Sequence, residues 1–205
     1  AKNTVLFDCF SGRSATDNTR AIHDEMRRQG LDFEARWSVR DLSVPLPDGV
    51  QPLVAHSDEW WHELGRHEAI ITNCWLPKGF VKQPYQYIVQ AWHGTPLKTL
   101  GLDRRGTDTS DARRGRLARD TNRWSLLLAQ NPYSEEIFRR SYLFEGPMLT
   151  GGYPRNDRLA RAANEDRIRA RASLGITDDR PVVLYAPTWR EDGSSPFDSL
   201  DIDFL

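Results

Sequence analysis

Short apolar runs and amphipathic helical patterns alternate along this chain, and this alternation limits the folds that the chain can adopt. Strand-like apolar runs occur at residues 3–10, 33–39, 69–75, 85–92, 124–130 and 148–151. Patterns typical of helices separate most of these runs. A chain that alternates strands with helices forms a mostly parallel sheet covered on both faces. We therefore predict an α/β fold with a Rossmann-like, mostly parallel sheet.

Capping residues and glycines predict where several helices begin and end. Thr16 or Asp17 can cap a helix that ends before Gly30, and Ser57 can cap a second, short helix. Further helices are predicted over residues 113–122, from residue 132 onwards, and from residue 158 or 164 to residue 174. The proline-rich residues 41–52 are predicted to form a loop. No G-x-G-x-x-G follows the first strand, so the sequence does not predict a dinucleotide site.

Charge, cysteine content and hydropathy indicate in which cellular environment the chain works. The 28 basic and 29 acidic residues nearly cancel, so net charge favours neither a nucleic acid nor a membrane partner. Cys9 and Cys74 lie in apolar surroundings, which predicts buried free thiols in a reducing compartment. No apolar run approaches the roughly 20 residues that span a bilayer, and no signal peptide begins the sequence. We expect a cytoplasmic protein.

The strongest candidate for a catalytic residue is His93. It lies in the stretch Gln-Ala-Trp-His-Gly-Thr-Pro-Leu-Lys, which ends at Lys98. A predicted strand leads into it, and Gly94 and Pro96 turn the chain there. Open α/β sheets build sites at the carboxyl ends of their strands, and histidine is the side chain best suited to act as a base near neutral pH. The alternative is a hydrogen-bonded structural histidine, and the spacing alone leaves both interpretations open.

The remaining histidines carry no comparable signal. They lie in charged helical or loop surroundings and are expected to be solvated: His23, His56, His62 and His67. None has the Cys/His/Asp spacing of a metal site, so we predict no metal.

The stretch Trp92–Lys98, with Gly101 and Asp103 just after it, resembles the signature of the CDP-glycerol glycerophosphotransferases. These enzymes prime or polymerise teichoic acids and related capsule polymers. Three other stretches resemble segments of the same family in the same order: residues 3–12 with Asp17 and Asn18, residues 152–157, and residues 185–190. The resemblance covers nearly the whole chain.

This resemblance implies the amino-terminal half of a glycosyltransferase-B-like fold with two domains. Residues 1–178 would form a Rossmann-like domain on the acceptor side. Residues 179–205, with an expected strand from Pro181 to Thr188, would begin a carboxyl-terminal nucleotide-binding domain. The family's second histidine and its segments that hold the CDP pyrophosphate lie in that second domain. We therefore expect residues 1–205 alone to be inactive.

The resemblance also implies a reaction, in which an acceptor hydroxyl attacks the phosphorus of the glycerol phosphate in CDP-glycerol and CMP leaves. The hydroxyl must lose a proton, and His93 is the candidate base. Phosphoryl transfer requires cations or N–H groups around the developing charge. The predicted substrate-binding residues are Gly94, Thr95, Lys98, Arg155, Asn156, Arg190, Ser11 and Gly12. No cofactor is expected.

Two of these assignments have structural alternatives. Residues 155–157 can instead cap the helix that follows, since Asn and Asp are good caps. Residues 185–190 can instead be a plain strand and linker between domains.

Seven arginines lie between residues 104 and 123, against four aspartates in residues 103–120. A solvated basic surface is one interpretation. Another is an electropositive approach for a polyanionic acceptor, or a contact with anionic lipid headgroups. Nucleic acid is disfavoured because aromatic residues are not interleaved with the arginines.

The partners implied are CDP-glycerol or a related CDP-activated donor and a polyanionic, lipid-linked acceptor. The location implied is the cytoplasm, peripheral on the inner face of the cell membrane. One alternative function is a capsule polymerase that transfers a sugar phosphate or another polyol phosphate. The other is a non-catalytic domain that binds polymer or nucleotide. The sequence does not separate a primase from a polymerase.

Overall fold

The computed structural model describes residues 3–186, and the chain divides into two compact units, Ala1–Arg161 and Ala162–Leu205. The strands described in the first unit are β1 (Thr4–Asp8), β2 (Glu34–Val39), β3 (Gln51–Val54), β4 (Ala69–Thr72), β5 (Tyr87–Gln90), β6 (Leu126–Ala129) and β7 (Met148–Thr150). Its α-helices are α1 (Asp17–Arg28), α2 (Asp58–Arg66), α3 (Asp111–Thr121), α4 (Pro132–Tyr142) and α5 (Asp157–Ala160). Short 3-10 helices cover Gly101–Asp103 and Pro154–Asn156.

The described strands form one parallel sheet in the order β3-β2-β1-β4-β5-β6-β7. This confirms the prediction of a Rossmann-like α/β fold. The chain builds outward from β1 to β3 on one side and then returns to place β4 on the other side. Open sheets of this kind bind ligands at the carboxyl ends of the strands where the order reverses. Asp8, Thr72 and Gln90 pair in register and mark that edge on β1, β4 and β5.

Both faces of the sheet are buried, as alternating side chains of β1 illustrate. Val5 and Phe7 pack into one hydrophobic cluster, which Ile22 of α1 also joins. Leu6 points the other way, into a second cluster that includes Leu64 of α2. Helices cover both faces because the strands are apolar on both sides.

The strand β3 differs from the sequence-based expectation of a loop over residues 41–52. Gln51–Val54 pairs with β2, and Pro52 lies opposite Trp37. Proline is tolerated there because β3 is an edge strand, where one missing N–H costs no ladder bond.

The helix starts follow local capping. Ser57 accepts a hydrogen bond from the backbone N–H of Trp60 at the start of α2, as predicted. Helix α1 begins at Asp17 after Thr16, although the Thr16 side chain makes no capping bond. At α4, Asn131 is the cap, and its side chain accepts from the N–H of Ser134.

The second unit contains helix α6 (Asn164–Ser173) among its described residues, close to the predicted helix that ends at residue 174. Residues 181–186 form neither helix nor strand, so the strand predicted from Pro181 is not present in them. Its last two residues lie outside the described range. A domain boundary near residue 178 stays a prediction.

Two histidines expected to be solvated are buried. His23 of α1 is 3% exposed and lies edge-on to the rings of Phe7 and Phe33. His67, directly after α2, is 1% exposed and its Nδ1 lies 2.7 Å from the carbonyl oxygen of Glu63. Burial lowers the pKa of both imidazoles below 6.5 because it disfavours the charged form. Cys9 is buried as predicted, whereas Cys74 is only half-buried.

Candidate active site

The loop after β1 lies at the carboxyl edge and has an unusual backbone. Phe10, Ser11 and Gly12 have φ values of 49°, 55° and 76°. The N–H of Phe10 donates to Asn73 Oδ1 at 2.8 Å, and the N–H of Ser11 donates to Cys74 Sγ at 3.1 Å. Side chains from the end of β4 therefore hold this loop in its left-handed conformation.

The two predicted ligand-binding residues in this loop have backbone N–H groups that are already bonded. The N–H of Gly12 donates to Asp8 Oδ1 at 3.0 Å. A Cβ on Gly12 would lie 2.8 Å from the backbone of Val39 and Arg40, so the close approach of β2 requires glycine here. Substrate binding by Ser11 or Gly12 stays a prediction.

Asp8, at the end of β1, has a carboxyl group whose pKa is raised above its usual value. Its Oδ2 lies 3.5 Å from the hydroxyl oxygen of Thr72. Burial raises the pKa of Asp8 to about 6, despite the opposing hydrogen bond from the N–H of Gly12.

His93 follows β5 and leans toward β4. Its Nδ1 lies 2.8 Å from the backbone carbonyl oxygen of Asn73, which can only accept, so Nδ1 carries the proton in the neutral ring. The lone pair of the imidazole is then on Nε2. The ring stacks on Trp92 at 4.8 Å and meets the edge of Phe10 at 5.7 Å. His93 is an exposed residue, so a substrate can reach it from solvent.

The backbone beside His93 is strained and heavily bonded. Trp92 is 5% exposed and has φ 48°, a conformation that costs a bulky residue about 1–3 kcal/mol. The carbonyl oxygens of Ala91 and Trp92 both accept from Asn18 Nδ2 at 3.0 Å. The carbonyl of His93 accepts from Arg155 Nη1 at 3.0 Å.

The next carbonyl is bonded too, since Gly94 O accepts from the Tyr153 hydroxyl at 3.1 Å. Four consecutive carbonyl groups, of residues 91–94, are thus fixed by side chains from α1 and from the turn after β7. We call this set of bonds the strap.

A pocket of about 280 Å³ opens beside His93. Its walls are Trp92, His93, Gly94, Thr95, Pro96, Leu97, Lys98 and Leu100, so four predicted site residues are brought together there. The Thr95 hydroxyl hydrogen-bonds Gln130 Oε1 at the end of β6. Within residues 3–186, the backbone N–H groups of Gly94 and Thr95 have no hydrogen-bond acceptor, so they remain able to bind an anion.

The predicted anion-binding Arg155 has a protein partner. Its guanidinium forms an ion pair with Asp17, whose side chain is 8% exposed, and its backbone N–H donates to Asn18 Oδ1 at 3.3 Å. The guanidinium also lies over the Tyr153 ring. Arg155 therefore joins the turn after β7 to α1 and to the His93 loop.

The two remaining predicted substrate-binding residues are Asn156 and Arg190. Asn156 is exposed and stands at the N-cap of α5, but its side chain makes no capping bond, so this capping interaction is not formed. Arg190 lies outside the described residues. Within residues 3–186, no group of His, Cys, Asp and Glu is arranged to hold a metal ion. In that range no helix combines the length and the hydropathy needed to cross a bilayer.

Sequence reasoning missed the amides that organise this site. Asn73 and Gln130 each follow directly after an apolar strand, and that position was a usable signal. Asn18 was noted only for the family resemblance. Nothing local marks it, because its bonding partners are 73, 74 and 137 residues away.

Comparisons with known proteins identify the family of this chain. Residues 1–204 match the model of the CDP-glycerol:poly(glycerophosphate) glycerophosphotransferase family. The teichoic acid poly(glycerol phosphate) polymerase of Bacillus subtilis strain 168 is 36% identical over 98% of this chain and 29% of its own length. The teichoic acid glycerol-phosphate transferase of Staphylococcus aureus is 32% identical over 100% of this chain and 56% of its own length.

The solved structure of the wall teichoic acid polymerase TagF superposes with a TM-score of 0.83 at 32% identity, over 93% of this chain and 48% of that chain. A TagF variant soaked with CDPG matches as well, with a TM-score of 0.84. The chain spans about half or less of the length of most of these proteins. With the family model matched over almost every residue, the chain belongs to the CDP-glycerol:poly(glycerophosphate) glycerophosphotransferase family.

Proposed function

We propose that the protein containing this chain transfers glycerol phosphate from CDP-glycerol to a hydroxyl of a polyol-phosphate acceptor of the teichoic acid type. CMP is released. The observation that carries this proposal is the bond from His93 Nδ1 to the carbonyl of Asn73, because it leaves Nε2 of this exposed residue as the proton acceptor. The description of the family supports CDP-glycerol as the donor, and the names of the relatives support transfer of glycerol phosphate to a teichoic acid.

In this proposal His93 Nε2 takes the proton of the acceptor hydroxyl as its oxygen attacks the phosphorus. A new P–O bond forms to the acceptor, the P–O bond to CMP breaks, and CMP leaves with the electron pair. The imidazolium that results is stabilised because Nδ1–H still donates to the Asn73 carbonyl. General-base catalysis of this kind contributes about 10²- to 10⁴-fold.

The pocket beside His93 supplies groups for the phosphoryl oxygens. In this proposal, charge that develops on the phosphoryl oxygens is stabilised by the N–H groups of Gly94 and Thr95, which have no acceptor within residues 3–186, and by the ammonium of the exposed Lys98. Arg155 is neutralised by Asp17, so its proposed contribution is to hold the His93 loop. A direct contact of Asn156 or Arg190 with substrate is part of the proposal but draws on the family resemblance alone.

We also propose that residues 1–178 belong to the acceptor-side domain and that residues after 178 begin the nucleotide-binding domain. The coverage of about half of TagF is consistent with one half of a two-domain enzyme. The donor would then be held mainly by the rest of the protein.

The acceptor in this proposal is lipid-linked, and the protein works at the inner face of the cell membrane as a peripheral protein. Within residues 3–186, six arginines on and before α3 form no ion pair: Arg104, Arg105, Arg113, Arg114, Arg116 and Arg119. Because α3 connects β5 to β6, its first turn lies toward the sheet edge that carries His93. Unpaired cations there favour an anionic surface.

The test of the reaction uses the full-length protein with CDP-glycerol and a short lipid-linked glycerol-phosphate acceptor, and it measures CMP release. His93→Ala should lower kcat by about 10²- to 10⁴-fold. His62→Ala, which removes an exposed histidine of α2, is the matched control and should keep full turnover. Release with CDP-ribitol or a nucleotide sugar, but not with CDP-glycerol, would keep the mechanism and change the substrate. No release with any donor would favour a non-catalytic binding domain.

The test of membrane attachment is flotation with vesicles of phosphatidylglycerol or of phosphatidylcholine. Replacing Arg104, Arg105 and Arg114 by glutamine should weaken binding to the anionic vesicles by roughly 100-fold, at about 1 kcal/mol per charge. The control replaces Arg20, Arg28 and Arg40, which are paired with acidic residues, and changes the net charge equally. Equal losses in both variants would contradict this surface.

A further inference from the structure

The strap gives one buried side chain an unusual position relative to His93. Asn18 has no exposed surface, and all three of its side-chain hydrogen bonds reach distant parts of the chain. Nδ2 uses both of its hydrogens, one on the carbonyl of Ala91 and one on that of Trp92. Oδ1 accepts the backbone N–H of Arg155.

These bonds act on the residue whose conformation aims His93. Trp92 is left-handed, and its N–H is held by Gln90 Oε1 at 3.0 Å while its carbonyl is held by Asn18. Without the Asn18 bonds, two buried carbonyl groups would lose their donors, and the strained Trp92 backbone would relax toward ordinary φ values. A change of φ or ψ at Trp92 rotates everything that follows, beginning with His93.

The consequence reaches the imidazole ring. The Nδ1 bond to Asn73 and the stacking on Trp92 both depend on the direction in which the backbone presents His93. If the ring leaves Asn73, the neutral imidazole is no longer held as the Nδ1–H tautomer, and the lone pair moves between the two nitrogens.

We infer that Asn18 is a positioning residue for the transfer reaction, which holds Trp92 left-handed and thereby keeps the His93 Nε2 lone pair aimed at the acceptor hydroxyl. This inference rests on the proposed function for its kinetic part only. Arg155 and Tyr153 bind the next two carbonyls and assist Asn18.

The chain contains a matched control for this role. Gln86 is also a buried amide, and its Nε2 likewise donates to two carbonyls, of Leu64 and His67, at 2.9 and 2.8 Å. Its Oε1 also accepts a backbone N–H, from Gln83. Gln86 stands before β5, at the sheet edge opposite to His93, so its loss should destabilise the fold without moving the base.

The experiment compares Asn18→Leu and Gln86→Met in the full-length protein, each keeping nearly the shape of the amide. Asn18→Leu should lower kcat by about 100-fold, the scale of a misplacement near 1 Å, with little change in KM for CDP-glycerol. Gln86→Met should keep kcat. In a His93→Ala background Asn18→Leu should cost nothing further, because a residue that acts through His93 has no effect once the imidazole is gone.

A second readout needs no turnover. In protein labelled with ¹⁵N-histidine, the His93 signals, assigned by their loss in His93→Ala, should show the Nδ1–H tautomer in the wild type and in Gln86→Met. Asn18→Leu should shift them toward the Nε2–H tautomer. If Asn18→Leu does not fold, Asn18→Asp replaces it, since it keeps the shape and turns an oxygen toward the two carbonyls.

The outcomes are separable. A wild-type His93 spectrum in a folded Asn18 variant, or a loss of kcat that persists in the His93→Ala background, would overturn the inference. Absence of CMP release by the wild type would overturn the proposed function, while the imidazole signals would still decide whether Asn18 holds His93.

Discussion

Replacing Asp8 by asparagine should change how the stability of this protein depends on pH. The pKa of Asp8 is raised from 3.8 to about 6 because the carboxyl is withdrawn from water at the end of β1. The folded state therefore keeps the proton over a pH range in which the unfolded chain has released it. Stability from this group is fully present below pH 4 and is lost as the pH rises through about 6.

The size of the effect follows from the shift. A rise of about two pKa units corresponds to about 3 kcal/mol at neutral pH, as an upper bound because solvent partly screens the group. Asparagine resembles the protonated carboxyl and can still accept from the N–H of Gly12. Relative to the wild type, Asp8→Asn should gain up to about 3 kcal/mol of unfolding free energy between pH 4 and pH 7.

The assay is urea unfolding of the full-length protein and its variants, followed by tryptophan fluorescence at several pH values between 4 and 7. Asp41→Asn is the control, because hydrogen bonds from Ser43 lower the pKa of Asp41 to about 2, so its ionisation lies below the whole range. The difference between Asp41→Asn and the wild type should be flat. A flat difference for Asp8→Asn as well would refute the argument that burial displaces its titration.

Two further changes test the architecture around the site. Gly12→Ala should lower the free energy of unfolding by more than about 3 kcal/mol, because the new Cβ would lie 2.8 Å from the backbone of Val39 and Arg40. Gly49→Ala is the control, since Gly49 has a similar φ but open space around it, and it should cost about 1 kcal/mol. Urea unfolding measures both variants, and equal losses would contradict the close packing of β2. Arg155→Gln should lower the unfolding free energy by about 2 kcal/mol, because it leaves the nearly buried Asp17 without its cation. Arg161→Gln removes one partner of an exposed ion pair and should cost less than about 0.5 kcal/mol. A double-mutant cycle of Arg155→Gln with Asp17→Asn should show coupling, and additive effects would contradict a stabilising ion pair.

Local sequence was sufficient to predict most of the secondary structure and the position of His93, the candidate base, after a strand. The apolar runs of β1, β4 and β6 were visible because most of their side chains are buried. The strands β2, β5 and β7 contain exposed or half-buried positions, but each still carries enough apolar residues to be recognised. The position of His93 after such a run, followed by Gly94 and Pro96, placed it at the carboxyl edge. The strand β3 was not recognised because it is an edge strand that tolerates proline, and only Leu53 of its four residues is buried.

The arrangement of the site was decided by the tertiary structure. Local sequence does not show the order of parallel strands in a sheet. The residues near His93 in sequence therefore did not predict that the carbonyl of Asn73 would bind its Nδ1. The charge of Arg155 likewise suggested a free cation until Asp17, 138 residues away, was found beside it. The burial of His23 was likewise not visible locally, because its imidazole packs against Phe7 and Phe33, which other parts of the chain supply.

The sequence by itself determined an α/β chain with a histidine at a strand end, because hydrophobic periodicity and turn residues act over a few neighbouring positions. Only the tertiary structure decided which nitrogen of that histidine is free and what holds it there. Those properties depend on hydrogen bonds between residues far apart in the chain, such as Asn18 with Trp92, and such pairings form only when the sheet brings its strands together.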